Sequence, residues 1–284
     1  MPKSLASASS TSAHLPPEAV DPEGRRLVIG DIHGCSKALR TLIECIKPRA
    51  EDELVFLGDY VDRGPDSRGV IDQLIELQAQ CKVVALRGNH EIMLCGVAFG
   101  GLDAKLWLEA GGKATVVSYG GKLDKIPAAH REFFQSLLPH YETEREIFVH
   151  ACYEASLPMD DQSDDTRYWQ HVHLPPAPHV SGKRVFVGHT PQASGMIRDL
   201  GYLVCVDTYC FGTGYLTAMD VRNDELIQVD KRGFRRRVPA EILWQWIRAA
   251  TSKCRKVLTP RMPRPASKSS FDSGARTGRE SGNE

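Results

Sequence analysis

The chain has no surplus of either charge: its 284 residues include 36 basic and 36 acidic side chains. Proteins held on nucleic acid or on anionic membranes draw on an excess of positive charge, so the bulk electrostatics give no reason to expect either partner. No apolar run approaches the roughly 20 residues that a membrane span needs. The eight cysteines (Cys35, Cys45, Cys81, Cys95, Cys152, Cys205, Cys210 and Cys254) include no Cys-x-x-Cys pair. That removes the spacing of zinc ribbons and of a compact disulfide framework, and leaves reduced core or surface thiols as the expectation. Residues 1–20 are rich in Ser, Ala and Pro, with one Lys and no apolar segment of a secretory signal, so a cytoplasmic setting is expected.

What is there suits a globular protein. Hydrophobic residues make up 42% and charged residues 25% of the chain. Residues 1–23 and 258–284 carry too little apolar surface to offset chain entropy and are expected to be disordered tails, the second mildly basic. One folded domain is expected over 24–235. A helix is expected over 236–257, opened by Pro239, with Leu243, Trp246, Ile247 and Ala250 on its packing face.

Within the domain, strands and helices alternate. Leu27–Ile29, Leu54–Leu57 and Val83–Leu86 read as strands. Leu39, Leu42, Ile43 and Ile46, then Val70, Ile71, Leu74 and Ile75, follow helical spacing between them. This β-α-β-α-β run argues for an α/β fold with a parallel or mixed sheet. Helices are expected at Lys105–Glu109 and around Phe133, Phe134 and Leu137. Further strands are expected at Ile147–Val149, Val185–Val187, Leu203–Val206, Tyr215–Met219 and Leu226–Val229.

Several strands end in a polar cluster. Gly30-Asp31-Ile32-His33-Gly34 follows the first, Gly58-Asp59-Tyr60-Val61-Asp62-Arg63-Gly64 the second and Gly88-Asn89-His90-Glu91 the third. His150 follows Ile147–Val149, and His189 follows Val185–Gly188. Ligands of open α/β sheets gather beyond the carboxyl ends of strands. A lone Asp there is usually a helix cap, and a lone His is usually a hydrogen-bonded structural residue. Five strand ends delivering two Asp, one Asn and three His together point instead to a metal centre. An oxygen and nitrogen set without thiolate suits Mn, Fe or Zn. Two divalent ions against two carboxylates leave a positive field for a phosphate dianion, and would lower the pKa of a bridging hydroxide toward neutral. Gly30, Gly58 and Gly88 precede the ligands and are expected to allow positive φ and close backbone approach.

The strings GDIHG, GDYVDRGPDS, LRGNHE, FVHA and VGHT resemble, in order, the five signature segments of the PPP-type metallophosphoesterases. LWLEAGGKATVVSYG and YLTAMD are similar to the bacterial and bacteriophage-like branch, so the likeness runs over most of residues 25–232. The resemblance implies a two-sheet β-sandwich flanked by helices, with the site at the carboxyl ends of the strands. It implies two divalent ions, Mn²⁺ first, with Fe or Zn as the other choices. Asp31 and His33 would serve one ion, Asp59 would bridge, and Asn89, His150 and His189 would serve the other. His90 would give a proton to the leaving alkoxide, oriented by Asp62. Arg63, with Asn89 and His90, would bind the phosphate.

The same resemblance implies a second phosphate-binding arginine, commonly beside a tryptophan. Here the segment reads Asp165-Thr166-Arg167-Tyr168-Trp169-Gln170, with Gln after the Trp. Arg167 is the candidate substitute; the other reading makes it a solvated side chain. Arg87 is expected to support the site from behind. His171, His173 and His179 lie in a Pro-rich loop that is expected to border the cleft without binding metal.

The expected activity is hydrolysis of phosphoserine and phosphothreonine in proteins by direct attack of a metal-bound hydroxide, by a protein that acts as a monomer. The first alternative is hydrolysis of symmetrical dinucleoside tetraphosphates. Enzymes of that group share the first motif, but usually have Ala or Gly before the Arg and Asp after the His, where this chain has Asp62 and Glu91. The second is a non-catalytic phosphate-binding protein on the same fold.

Overall fold

Every strand expected from the sequence forms, and the central ones are buried along their whole length, as in a sheet with both faces covered. In the computed structural model, which describes residues 24–236, the strands divide into two five-stranded sheets. The first contains β1 (Arg26–Ile29), β2 (Glu53–Phe56) and β3 (Lys82–Ala85) in parallel. It is extended by β9 (Tyr215–Asp220), antiparallel to β1, and by β10 (Leu226–Asp230). The second contains β5 (Glu146–Val149), β6 (Arg184–Val187) and β8 (Leu203–Cys205) in parallel. Antiparallel β4 (His140–Glu142) and β7 (Arg198–Asp199) flank them.

Side-chain alternation along the strands explains the layers. Val28, Val55 and Val84 from the first sheet meet Phe148, Phe186 and Val204 from the second in one buried cluster. Leu27, Ile29, Leu54 and Phe56 point the other way, onto helices α1 (Ser36–Ile46) and α2 (Ser67–Leu77). The outer face of the second sheet buries Ile147, Val149, Val185 and Val187 against Tyr153, Met159 and Val172. The result is a two-sheet sandwich flanked by helices, as the resemblance implies.

The remaining helices are α3 (Asn89–Ala98), α4 (Lys105–Trp107), α5 (Lys113–Ser118), α6 (Ala128–Ser136) and α7 (Asp164–Trp169). The helix expected over Lys105–Glu109 keeps α geometry only through Trp107. It then widens into a π segment, Leu108–Gly112, broken by Gly111 at φ +121°. Leu137 ends α6 in an extended conformation. The expected tails, and the expected C-terminal helix from residue 237 onward, lie outside the described residues.

One buried charge staples the start of the first sheet. Asp52 accepts hydrogen bonds from Arg25 Nη2 at 2.6 Å, Arg25 N at 3.0 Å, Arg49 N at 3.0 Å and Arg49 Nη2 at 3.1 Å. Burial works against its charge, but the hydrogen bonds from Arg25 and Arg49 win and hold the carboxyl well below the usual range. The stabilisation is therefore complete above the unfolded value of about 4 and drains away as pH falls through the folded value. Asp52→Ala is expected to cost about 2 kcal/mol in urea denaturation at pH 7, with the deficit shrinking in acid. A deficit independent of pH would assign the loss to packing.

Candidate active site

All the metal-ligand candidates lie at the carboxyl ends of strands, on one edge of the sandwich. Asp31 and His33 follow β1, Asp59 follows β2, and Asn89 opens α3 after β3. His150 and His189 follow β5 and β6. The site thus spans both sheets. Its loops are tightly wound: His33, Asp59, Asp62, Arg63 and His189 all have positive φ, between +46° and +71°. Non-glycine residues held this way mark places where packing overrides backbone preference, and functional sites collect them.

Only one of the three glycines expected at positive φ adopts it. Gly58 sits at φ +107°, where a Cβ would meet Gly88 N at 2.7 Å and His150 Nδ1 at 2.9 Å. Gly88 lies at φ −96°, and Gly30 is not among the positive-φ glycines. Their requirement is space: a Cβ on Gly30 would meet the Val206 carbonyl oxygen at 2.6 Å.

Three histidines are fixed in one tautomer by backbone carbonyls. His33 Nδ1 donates to Val61 O at 2.9 Å, His150 Nδ1 to Leu57 O at 2.8 Å and His189 Nε2 to Trp169 O at 3.1 Å. The other nitrogen of each ring faces the centre, against Arg63 Nη1 for His33 and against the Asn89 amide for His150 and His189. Burial holds His33 and His150 below the ordinary imidazole range and His189 down at about 3, so all three lone pairs are available at neutral pH.

The acceptors form two groups that share Asp59. His33, Asp59 and His90 make one, and Asp59, His150 and His189 make the other. Asp59 Oδ2 lies 3.5 Å from His33 Nε2, and Oδ1 lies 3.5 Å from His150 Nε2. The Asn89 amide oxygen is 3.1 Å from both His150 Nε2 and His189 Nδ1. With the amide turned over, its nitrogen donates to the same atoms and to Asp59. A nest of acceptors that needs a donor or a cation at its middle fits a divalent ion. Asp31 stands at the edge of this nest: its carboxylate accepts from His189 N at 3.0 Å and lies beside the buried Asp207. Burial pushes Asp207 up to about 7, and its Oδ2 has no partner among the described residues.

His90 differs from the other three. Its Nδ1 donates to Asp62 Oδ2 at 2.6 Å, and its Nε2 lies 4.0 Å from Asp59 Oδ2. Burial disfavours its charge, but Asp59 and Asp62 outweigh burial and raise it above the ordinary imidazole range. Asp62 is caged: Trp107 Nε1 donates to Oδ2 at 2.8 Å and Thr115 Oγ1 to Oδ1 at 2.6 Å. Glu91 accepts from the backbone N–H groups of Asp59, Tyr60, Val61 and Gly88, at 2.8–3.3 Å. It locks the loop carrying Asp59 to the start of α3.

Arg63 is exposed. Its Nη1 is 2.9 Å from His33 Nε2, its Cζ lies 4.4 Å from the Phe211 ring centroid, and its backbone N–H donates to Gly111 O at 3.2 Å. Arg167 Nη2 donates to Asp164 Oδ1 at 2.7 Å on its own helix, and its buried Nε has no partner among the described residues. Arg87 donates to Leu137 O at 3.2 Å, behind the cluster. His179 is a packed structural residue, its ring nitrogens paired with Ser181 Oγ and Leu157 O. His171 stacks directly on His189.

The residues that the sequence did not single out are Glu91, as a clamp, and Trp107, Thr115, Asp207 and Phe211. Glu91 stands three residues after Gly88, the spacing of a helix-start box. Trp107 carried a weaker signal, since a buried indole N–H requires an acceptor.

The sequence pattern of the calcineurin-like phosphoesterases matches residues 24–271. The chain belongs to the calcineurin-like phosphoesterase family. It is a metallophosphoesterase, of a family that uses divalent metals, and its candidate ligands converge as that chemistry requires. Over 86 residues the phosphoesterase is 44% identical to serine/threonine-protein phosphatase 1 of Salmonella typhimurium, a stretch covering 30% of this chain and 38% of that protein. Over 90 residues it is 40% identical to a symmetrical bis(5'-nucleosyl)-tetraphosphatase of Ralstonia nicotianae, covering 32% of this chain and 28% of that protein. The chain therefore matches well under half the length of these relatives. Among solved structures, a cold-active protein tyrosine phosphatase superposes with a TM-score of 0.55 at 18% identity, covering 75% of this chain and 78% of that one. That likeness concerns the fold alone. No helix among the described residues is long and apolar enough to cross a membrane.

Proposed function

We propose that this phosphoesterase hydrolyses phosphoserine and phosphothreonine in proteins, as a dinuclear-metal phosphomonoesterase working in the cytoplasm. The Asp62–His90 pair carries this reading. A serine or threonine alkoxide is a strong base and leaves only with a proton, whereas a nucleotide phosphate leaves readily without one. A buried imidazole raised above its ordinary range and aimed at the centre is the acid that the first reaction needs.

The residues divide the work. His33, Asp59, Asn89, His150 and His189, with Asp31 at the edge, would hold two divalent ions, Mn²⁺ by preference. Those ions would supply Lewis-acid polarisation of the phosphate and a hydroxide nucleophile at neutral pH. Arg63 offers guanidinium donors to phosphate oxygens, and the Phe211 face and the Gly111 carbonyl position it. The protonated His90 Nε2 gives its proton to the leaving alkoxide oxygen as the P–O bond breaks. Asp62 stabilises the imidazolium, and Trp107 and Thr115 keep that carboxylate aimed.

A second reading, hydrolysis of symmetrical dinucleoside tetraphosphates, draws on the Ralstonia relative. Purified protein with Mn²⁺ is to be assayed on phosphoserine and phosphothreonine peptides beside diadenosine tetraphosphate. The peptides are expected to win in kcat/KM by about tenfold or more. Faster turnover of the dinucleotide would give the site to the second reading.

A further inference from the structure

Arg63 stands on one side of the centre, and on the other Gln170 follows Trp169 where the resemblance implies a second arginine. Arg167 Nη2 pairs with Asp164 on its own helix, and the Gln170 backbone N–H bonds back to Asp165 O. What stands there instead is an imidazole stack. The His171 ring lies parallel to His189, with centroids 4.5 Å apart and planes at 22°. His173 stacks on His171 at 5.1 Å and 23°.

The stack is anchored from below. Val172, between the two exposed histidines, is buried. Its N–H donates to Thr190 Oγ1 at 3.0 Å, and its carbonyl accepts from Arg198 Nη1 at 2.7 Å. Neither histidine has a ring nitrogen bonded to a described residue; their ring contacts are with each other and with His189. Arg63 reaches the ligand group of His33, with Nη1 2.9 Å from its Nε2, whereas His171 lies on the ring of His189 in the other group.

We propose that His171, backed by His173, stands in for that second arginine, donating a ring N–H to a phosphate oxygen opposite Arg63. The inference rests on the reading of the site as a phosphoesterase centre. A neutral imidazole carries one N–H and needs no charge to donate it. It offers one neutral hydrogen bond where a guanidinium offers two charge-assisted ones, so this chain should hold phosphate more loosely than a relative with the arginine.

The test uses the full chain with Mn²⁺, p-nitrophenyl phosphate as substrate and inorganic phosphate as competitive inhibitor. His171→Phe keeps a stacking ring and removes the donor; His171→Ala removes both; His171→Arg supplies a guanidinium. The Phe and Ala variants are expected to raise the phosphate inhibition constant by about tenfold, with Mn²⁺ content unchanged. The Arg variant is expected to bind phosphate at least as tightly as wild type. A wild-type inhibition constant in His171→Phe overturns the proposal. So does loss of Mn²⁺ in His171→Ala with normal phosphate affinity in the loaded fraction, because His171 would then only support His189. If wild type hydrolyses no phosphate ester, the functional reading fails by itself. Calorimetric phosphate binding to wild type and His171→Phe then still decides whether His171 binds the anion.

Discussion

Asp59→Asn is expected to lower kcat/KM by about 1,000-fold and to take bound metal from two ions per chain to one or fewer. Asp59 is the one residue common to both groups of converging ligands. Asparagine suits the test. It has nearly the same shape, tolerates the left-handed backbone at φ +52° and keeps an oxygen for the His90 N–H, 3.1 Å from Oδ1. What it removes is the negative charge that two cations share. Metal analysis and steady-state kinetics on the same preparation check this, with circular dichroism to confirm folding. A variant holding two ions at the wild-type rate would remove Asp59 from the centre.

His90→Asn is expected to slow hydrolysis of a phosphoserine peptide by about 100-fold or more, with a clearly smaller loss on p-nitrophenyl phosphate. The contrast follows from the leaving groups: nitrophenolate departs without a proton, and a serine alkoxide does not. Equal losses on both substrates would contradict the acid role and leave His90 a structural part. Asp62→Asn adds a pH test. His90 is raised by Asp59 and Asp62 against the effect of burial, so it stays protonated to higher pH than an ordinary imidazole. Activity that needs the protonated form falls as pH rises through this value. Removing the Asp62 charge lowers the value, so the alkaline limb of the kcat/KM profile moves toward lower pH. An alkaline limb that stays in place would detach Asp62 from the proton transfer.

The sequence makes the strand-end ligands legible because a metal site demands unusual residue types in fixed places. Asp31, His33, Asp59, Asn89, His150 and His189 each stand beside a short apolar run whose direction is plain. The two-sheet sandwich is less legible from the residues alone: β-α-β alternation gives a parallel sheet, but nothing in it says that Val55 faces Phe148 from another sheet. The supporting residues are harder still. Thr115 lies 53 residues from Asp62 and is an ordinary helix residue until the fold brings its hydroxyl to 2.6 Å. The break of the Lys105–Glu109 helix into a π segment depends on Gly111 packing against Arg63, a contact that no local pattern announces. His171 reads as a solvated loop histidine until its ring is seen lying on His189.

Because the centre straddles the seam between the sheets, the interlayer core acts as its ruler. Asp59 hangs from one layer and His150 from the other, and the packing of Val55 and Leu57 against Phe148 and Phe186 fixes the gap they share. Hydrophobic residues that touch neither substrate nor cation therefore set coordination distances. A methylene lost from that layer, harmless in most sandwiches beyond its cost in stability, here detunes the spacing of the ligands as well. Selection on the chemistry thus reaches into the oil between the sheets.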